Sequence, residues 1–200
     1  PYSLVKKTEF SHSLTRENIA MRSENDILVF VTQDVEIVSE NWLFNLVSPI
    51  INGQAAACYS RQISKYNNLE KYTREKNYPK DSSLVSKANL EKLGLRTFFF
   101  SDASSAIKTD IFKQLNGYDQ KNLPISEDMY IAYKIIMAGY SIKYCADSVV
   151  YHSHKFTLKQ LYCRYYLTGM FMAQNSYLDQ YGTTKMGGGV AKYILKRALQ

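Results

Sequence analysis

Carboxylate and imidazole side chains occur at three places along this 200-residue chain, each next to the end of a predicted strand or helix. Asp34 follows an apolar strand and offers the hard oxygen ligands that Mg²⁺ or Mn²⁺ takes when it binds with a phosphate. Glu127 and Asp128 fall in the first turn of a predicted helix, where a carboxylate could act as a general base on a substrate hydroxyl. His152 and His154 alternate at strand spacing, so both rings would lie on one face, and paired imidazoles can bind a metal ion.

Each of these places also has a structural explanation that competes with the chemical one. An aspartate after a strand often caps a helix or forms a turn. Carboxylates in a first helical turn are stabilised by the helix dipole by roughly 0.3–1 kcal/mol, and the same dipole lowers their pKa. Asp128 would therefore have to be buried to be an effective base at neutral pH.

The elements that must position these residues begin with Ile27–Val31, a continuous apolar run that is typical of a parallel strand covered on both faces. A helix follows from Ser39, its predicted N-cap, with Glu40 in the first turn and apolar residues at helical spacing up to Ile50, and residues 55–59 then complete a β-α-β unit. Ligands of open α/β sheets bind at the carboxyl ends of strands, which is where Asp34 lies. We therefore predict an α/β fold with a mostly parallel sheet flanked by helices.

The other elements are predicted from caps, glycine stops and apolar spacing. They are a helix at 10–22, a partly helical basic segment at 61–96, a strand at 97–100, helices after Thr109 and Ser126 that end at Gly117 and Gly139, strands at 142–145 and 149–151, and an amphipathic helix from Thr157 to about residue 178. A single helix ahead of the most apolar strand is unusual for such a sheet. We therefore expect the chain to be the C-terminal part of a larger sheet domain.

Composition narrows the classes of function. Hydrophobic residues make up 46% and charged residues 22%, which indicates a globular protein. Cys58, Cys145 and Cys163 are far apart, which fits a reducing compartment, and the lack of a long apolar run or signal-peptide pattern adds the expectation of a cytoplasmic protein. The net charge of +7 is concentrated in residues 61–96 and 155–200, which favours phosphate-bearing ligands. No nucleic-acid-binding module matches, so nucleic acid is not an expected partner.

Four motifs stand in a fixed order along the chain. They are Thr32-Gln33-Asp34 after the first strand, Phe98-Phe99-Phe100-Ser101-Asp102, Glu127-Asp128 followed by Ala138-Gly139-Tyr140, and Tyr151-His152-Ser153-His154. In this order they resemble the family 2 glycosyltransferases, and most closely the bacterial rhamnosyltransferases of O-antigen and capsule assembly. The resemblance extends over residues 10–180, most of the chain.

The resemblance implies a GT-A fold and inverting transfer from a nucleotide-diphosphate sugar. Asp34 would match the acid of the family's D-x-D motif, with Thr32 in place of the first Asp, and His152 would complete a site for Mg²⁺ or Mn²⁺. Asp128 would be the catalytic base, with Glu127 as its neighbour. The implied substrate-binding residues are Arg16 near the donor diphosphate, Gln33, and the pair Ser101 and Asp102 on a loop that faces donor sugar and acceptor.

Residues 1–154 would then be the C-terminal part of a GT-A catalytic domain that lacks one or two N-terminal units for the nucleotide base. Residues 155–200 would be an amphipathic helical extension with a basic tail. That extension could contact the inner face of the cell membrane peripherally. Packing on the domain itself, or on a second subunit in a homodimer, is the alternative.

The expected partners are a nucleotide-diphospho-sugar donor and a lipid-linked or polysaccharide acceptor. The leading prediction is rhamnosyl transfer from dTDP-L-rhamnose to a cell-surface polysaccharide. A related transferase with a UDP-sugar donor is one alternative. A non-catalytic module of the same fold that binds glycan or membrane is another.

Overall fold

The computed structural model describes residues 3–182 and confirms an α/β chain. The α-helices are α1 (His12–Ala20), α2 (Trp42–Ile51), α3 (Leu69–Asn77), α4 (Leu90–Leu93), α5 (Thr109–Gln114), α6 (Glu127–Met137) and α7 (Leu158–Gln174). The strands are β1 (Ile27–Val31), β2 (Val35–Ile37), β3 (Ala57–Ile63), β4 (Ser83–Val85), β5 (Ser104–Lys108) and β6 (Ile142–His152). Short 3₁₀ helices cover Lys87–Asn89, Gly94–Phe98 and Ser176–Tyr181.

The sheet is mixed, so the prediction of a mostly parallel sheet is wrong. Its strand order is β1-β5-β3-β6-β2, with β4 paired to β6. Of these neighbours, β3 and β6 run parallel, while β1 with β5, β3 with β5, β2 with β6 and β4 with β6 are antiparallel. The expected β-α-β unit is present in a split form: β1 and β3 are each antiparallel to β5, so they run parallel to one another with β5 between them, and α2 connects them.

Strand β1 is not covered on both faces. Leu28 and Phe30 are buried, but Val29 and Val31 are 39% and 45% exposed, and β1 is the end strand of the sheet. Because Val, Ile and Phe favour any strand, an apolar run alone does not tell an end strand from a central one.

The aromatic segment at 97–100 is not a strand either. Thr97 and Phe98 belong to a 3₁₀ helix, and Phe98 packs edge-on against Tyr133 and Tyr181 with ring centres 5.1 Å away in both pairs. Gly94 begins this turn with φ of +54°, and a Cβ there would lie 2.5 Å from the carbonyl oxygen of Tyr181. Position 94 therefore requires glycine, and the 3₁₀ helix that begins there packs closely against Tyr181.

Helices cover both faces of the sheet and create two buried clusters. Helix α2 packs on one face, where Trp42, Leu46 and Ile50 meet Cys58 and Val150. The larger cluster lies on the other face and includes residues of α1, α5 and α6. Helix α7 begins as predicted at Thr157, which caps it with a reciprocal bond to Gln160.

The described residues contain no helix long and apolar enough to cross a membrane. The predicted basic tail falls within 183–200 and lies outside the described residues.

A chain of buried hydroxyls connects α2 to three strands of the sheet. The indole Nε1–H of Trp42 is 3.1 Å from Oγ of Ser60 and 3.0 Å from Oγ of Ser104. The Ser60 hydroxyl is also 2.8 Å from that of Ser148. Since all four side chains are buried, each of these bonds replaces one to water that folding removes.

We expect Trp42→Phe to lower the free energy of unfolding by about 1–2 kcal/mol. It removes the indole N–H that Ser60 and Ser104 share, and it replaces the indole with a smaller ring. Urea denaturation would measure the change. Phe44→Ala on the same helix is the matched control, since Phe44 is 69% exposed and its loss should change stability by less than about 0.5 kcal/mol. Equal effects of the two substitutions would contradict the role assigned to the hydroxyl chain.

Candidate active site

A cleft of about 610 Å³ lies where β6 ends, and four of the residues singled out in the sequence line it, namely Ser101, Asp128, His152 and His154. Its walls come from α3, the 99–101 segment, the start of α6, the end of β6 and α7. The polar lining residues include Glu70, Arg74, Ser101, Asp128, His152, His154 and Arg164. Aromatic rings of Tyr78, Phe99, Phe100, Phe156 and Tyr165 complete the lining.

The register between β2 and β6 brings Asp34 to the two histidines. Val35 pairs with His152, so the turn before β2 places Asp34 over the end of β6. Oδ2 of Asp34 is 3.4 Å from Nε2 of His152 and 3.5 Å from Nδ1 of His154. The sequence interpretation ranks His154 behind His152 as a metal ligand, but the structure brings both rings to the same carboxylate.

This three-residue cluster suits a divalent ion. One ligand atom from each of Asp34, His152 and His154 lies within 4.8 Å of the others. Metal–ligand bonds of about 2.0–2.2 Å would separate neighbouring ligand atoms by roughly 3.0–3.5 Å, which matches the spacing of the two nitrogens from the Asp34 oxygen. The donor set therefore fits such an ion with little rearrangement.

Behind His152 lies Gln62, which is fully buried and which sequence reasoning missed. Its Oε1 is 2.8 Å from Nδ1 of His152 and accepts a hydrogen bond from Arg74, while its Nε2 donates to Oγ of Ser101 at 2.8 Å. A glutamine in a strand has no motif around it, so no signal in the sequence marks it.

Helix α3 supplies the rest of this support through a pair that sequence reasoning also missed. Glu70 and Arg74 are four residues apart and form an ion pair of 2.9 Å, a spacing that could have been recognised as a helical pair. The second carboxylate oxygen of Glu70 accepts the backbone N–H of His154 at 2.7 Å. Helix α3 is therefore bonded to both ends of the histidine pair.

Burial, and then the positive charge of Arg74, lower the pKa of His152 to about 4. Burial also lowers the pKa of His154, although Glu70 and Asp34 oppose it. Both imidazoles are thus neutral near pH 7, which is the form that binds a metal.

At the start of α6, Arg16 lies between two carboxylates. Its Nη1 lies 2.5 Å from Oε1 of Glu127 and 3.8 Å from Oδ2 of Asp102. Arg16 is thus paired with Glu127 and lies near Asp102, and its implied role beside the donor diphosphate stays a prediction.

Asp102 does not face the cleft, which corrects the sequence interpretation. It is 1% exposed and accepts hydrogen bonds from Tyr118 at 2.7 Å and from Ser105 at 2.8 Å. Ser101, beside it, does line the cleft. Gln33 is exposed on the turn between β1 and β2, next to Asp34.

Asp128 lines the cleft at the start of α6 and accepts the N–H of Met129 on Oδ1 at 2.8 Å. Burial raises the pKa of Asp128 well above its usual value, and the nearby charges of Glu127 and Asp102 raise it further. Burial and neighbouring acids thus outweigh the helix dipole, as an effective base at this position requires. Ser126, which precedes the pair, has the left-handed φ of +63°.

No family model matches the chain. Among curated proteins, it is similar to the O-antigen chain rhamnosyltransferase RfbN of Salmonella typhimurium, with 34% identity over 179 residues, which is 88% of this chain and 57% of that protein. It is also 34% identical over 180 residues to the O-antigen chain rhamnosyltransferase WbaN of Salmonella anatum, with the same two shares. The chain thus spans 57% of the length of these relatives, which support the resemblance to rhamnosyltransferases.

Asp128→Asn should stabilise the fold as the pH rises. A carboxyl whose pKa is raised by folding stabilises the folded state fully below its unfolded pKa, and that contribution disappears as the pH rises through the folded pKa. We expect the variant to match the wild type near pH 4 and to exceed its free energy of unfolding by about 1 kcal/mol or more at pH 8. Urea denaturation across this pH range measures the difference.

Asp110→Asn is the matched control for this experiment. Asp110 also lies in a first helical turn and accepts the next backbone N–H, at 2.7 Å, but its side chain is 63% exposed. The ion pair of Asp110 with Lys108 is exposed. Asp110→Asn should therefore change the free energy of unfolding by less than about 1 kcal/mol. A flat difference for Asp128→Asn would contradict the burial argument.

Proposed function

We propose that this chain is the catalytic part of a glycosyltransferase of O-antigen or capsule assembly, which moves rhamnose from dTDP-L-rhamnose to a polysaccharide acceptor. The observation that carries the proposal is one cleft lined by both Asp128, whose pKa is raised, and the histidines of the Asp34 cluster. The similarity to two O-antigen rhamnosyltransferases supports the choice of reaction. Membership of family 2 and the GT-A fold are part of the same proposal.

In this reaction Asp128 accepts the proton of an acceptor hydroxyl. The oxygen forms a bond to the anomeric carbon of the donor sugar as the bond from that carbon to the diphosphate breaks, and its electron pair leaves with the diphosphate. A raised pKa makes the Asp128 carboxylate a stronger proton acceptor at neutral pH. Direct displacement of this kind inverts the anomeric configuration.

Glu127 and Arg16 hold the base in place in this scheme. Their 2.5 Å contact fixes the first turn of α6 against α1, and Arg16 keeps the Glu127 charge compensated so that the two neighbouring carboxylates can coexist. We assign both residues a positioning role in the proposed reaction.

Asp34, His152 and His154 would hold the divalent ion, with Mn²⁺ and Mg²⁺ as the candidates. Such an ion neutralises the charge that collects on the diphosphate leaving group. The residues themselves would anchor that end of the donor across the cleft from Asp128. Gln33, exposed on the same turn as Asp34, would contact the donor there.

Helix α7 would form the acceptor side. It contributes Leu161, Arg164 and Tyr165 to the cleft and continues outward with Tyr162 and Tyr166, which are 71% and 59% exposed. Exposed aromatic faces of this kind can stack on sugar rings, and their hydroxyls can bond to those of a saccharide. A peripheral membrane contact through the same basic and aromatic helix stays a prediction, as does a homodimer.

Asp128→Asn should reduce rhamnosyl transfer at least 100-fold and leave dTDP affinity within a factor of two, because the amide cannot accept the proton. The measurement is transfer from dTDP-L-rhamnose to an O-antigen acceptor, with dTDP binding followed by calorimetry. Asp110→Asn, which keeps the same local hydrogen-bond geometry away from the cleft, should retain transfer. Turnover by Asp128→Asn near the wild-type rate would refute the base assignment.

Calorimetric titration of the chain with dTDP and with UDP, each with and without Mn²⁺, tests the donor. We expect dTDP to bind more tightly when Mn²⁺ is present, and Asp34→Ala and His152→Ala each to remove that dependence. Tighter binding of UDP than of dTDP would indicate a UDP-sugar as the donor. Nucleotide binding that does not depend on Mn²⁺ would show that the cluster is not part of the donor site. A nucleotide-binding chain that never transfers sugar would favour the non-catalytic glycan-binding module.

A further inference from the structure

Gln62 is oriented by its neighbours in only one way. Arginine can donate hydrogen bonds but cannot accept them, so the amide atom of Gln62 that faces Arg74 must be the oxygen. The amide nitrogen then points to Ser101, whose hydroxyl accepts from it at 2.8 Å. The two hydrogen bonds thus distinguish the oxygen of the Gln62 amide from its nitrogen.

This orientation also fixes the tautomer of His152. Because the atom 2.8 Å from Nδ1 is a carbonyl oxygen, Nδ1 must carry a proton and donate it. In a neutral ring the other nitrogen, Nε2, then has a free lone pair. That lone pair faces Oδ2 of Asp34 at 3.4 Å, an atom that is itself only an acceptor.

Two acceptors that face one another repel, and a cation between them removes the repulsion. The same Asp34 oxygen lies 3.5 Å from Nδ1 of His154. The backbone of His154 is bonded to Glu70, so α3 supports the second ring as well as the first. The residues behind the cluster therefore set the tautomer of His152 and hold the backbone of His154 beside it.

We propose that Gln62, anchored by Arg74, is a positioning residue that holds His152 in its Nδ1–H tautomer, so that the cluster binds an ion through two imidazoles and one carboxylate and prefers Mn²⁺ to Mg²⁺. The preference follows from the ligands, because imidazole suits transition metals while Mg²⁺ takes mainly oxygen. The inference rests on the ion site proposed above, but its central claim concerns the metal-free protein.

The direct test is long-range proton–nitrogen NMR of the histidine rings in the metal-free chain at neutral pH. His152 should show the Nδ1–H tautomer in the wild type. In Gln62→Met, which removes the acceptor and keeps the length of the side chain, it should show a mixture or the Nε2–H form. A wild-type His152 in the Nε2–H tautomer would overturn the proposal.

Mn²⁺ affinity, measured by calorimetry and by the electron paramagnetic resonance signal of free Mn²⁺, gives an independent readout. Loss of a bond that orients a ligand should weaken binding roughly 10- to 100-fold in Gln62→Met. Gln62→Glu should restore it, because a carboxylate accepts from both Arg74 and Nδ1–H. Failure of Gln62→Glu to bind better than Gln62→Met would overturn the positioning role.

Two controls separate this role from stability and from catalysis. Ser60→Ala, on the same strand, removes buried hydrogen bonds of comparable number and should lower stability without changing Mn²⁺ affinity. Competition with Mg²⁺ tests the ligand set, and Mg²⁺ binding as tight as that of Mn²⁺ would overturn the role of the two imidazoles. None of these readouts depends on sugar transfer, so an inactive chain with the expected tautomer would refute only the proposed function.

Discussion

The pairing of β6 with two strands is the constraint on which the candidate site depends. Its antiparallel register with β2 sets Val35 opposite His152 and so brings Asp34 to the ring. Its parallel register with β3 shifts by a bulge after Ser60, and beyond it Gln62 lies opposite Val150, two residues before His152. A slip of one residue in either pairing would turn these side chains to the other face. His152 is thus held by strand pairing, and Asp34 lies in the turn directly before β2.

The start of α6, where Asp128 lies, is held by charge instead of by strand pairing. One arginine, Arg16, compensates two acids, while a third, Asp128, is left in a buried place that disfavours its ionised form. Ser126 adds a left-handed backbone just before it, a conformation that costs about 1–3 kcal/mol in a residue other than glycine. In the proposed reaction Asp128 needs its ionised form, which is the form that its burial disfavours, so reactivity and stability would be opposed at this residue.

The sequence predicts which polar residues come together better than it predicts the sheet. Asp34, Asp128 and His152 could be singled out as candidates because their types and positions after strands or in a first helical turn are local signals. The direction of a strand depends on pairing with residues distant in the sequence. An apolar run such as Ile27–Val31 is compatible with an edge strand or with a central strand of a sheet. Gln62 could not be found from the sequence, because its position beside the site depends on hydrogen bonds to Arg74 and His152, which are 12 and 90 residues away.

In the proposed ion site, the two imidazoles would also determine which metals compete for the protein during handling. Nitrogen ligands rank first-row ions in the Irving–Williams order, in which Ni²⁺, Cu²⁺ and Zn²⁺ stand above Mn²⁺. A preparation eluted from nickel resin would therefore carry a competing ion in the cluster of Asp34, His152 and His154. Occupancy in the cell would then reflect which ions are available more than which bind best. The protein should therefore be stripped of metal with a chelator and reloaded with one defined ion before it is assayed.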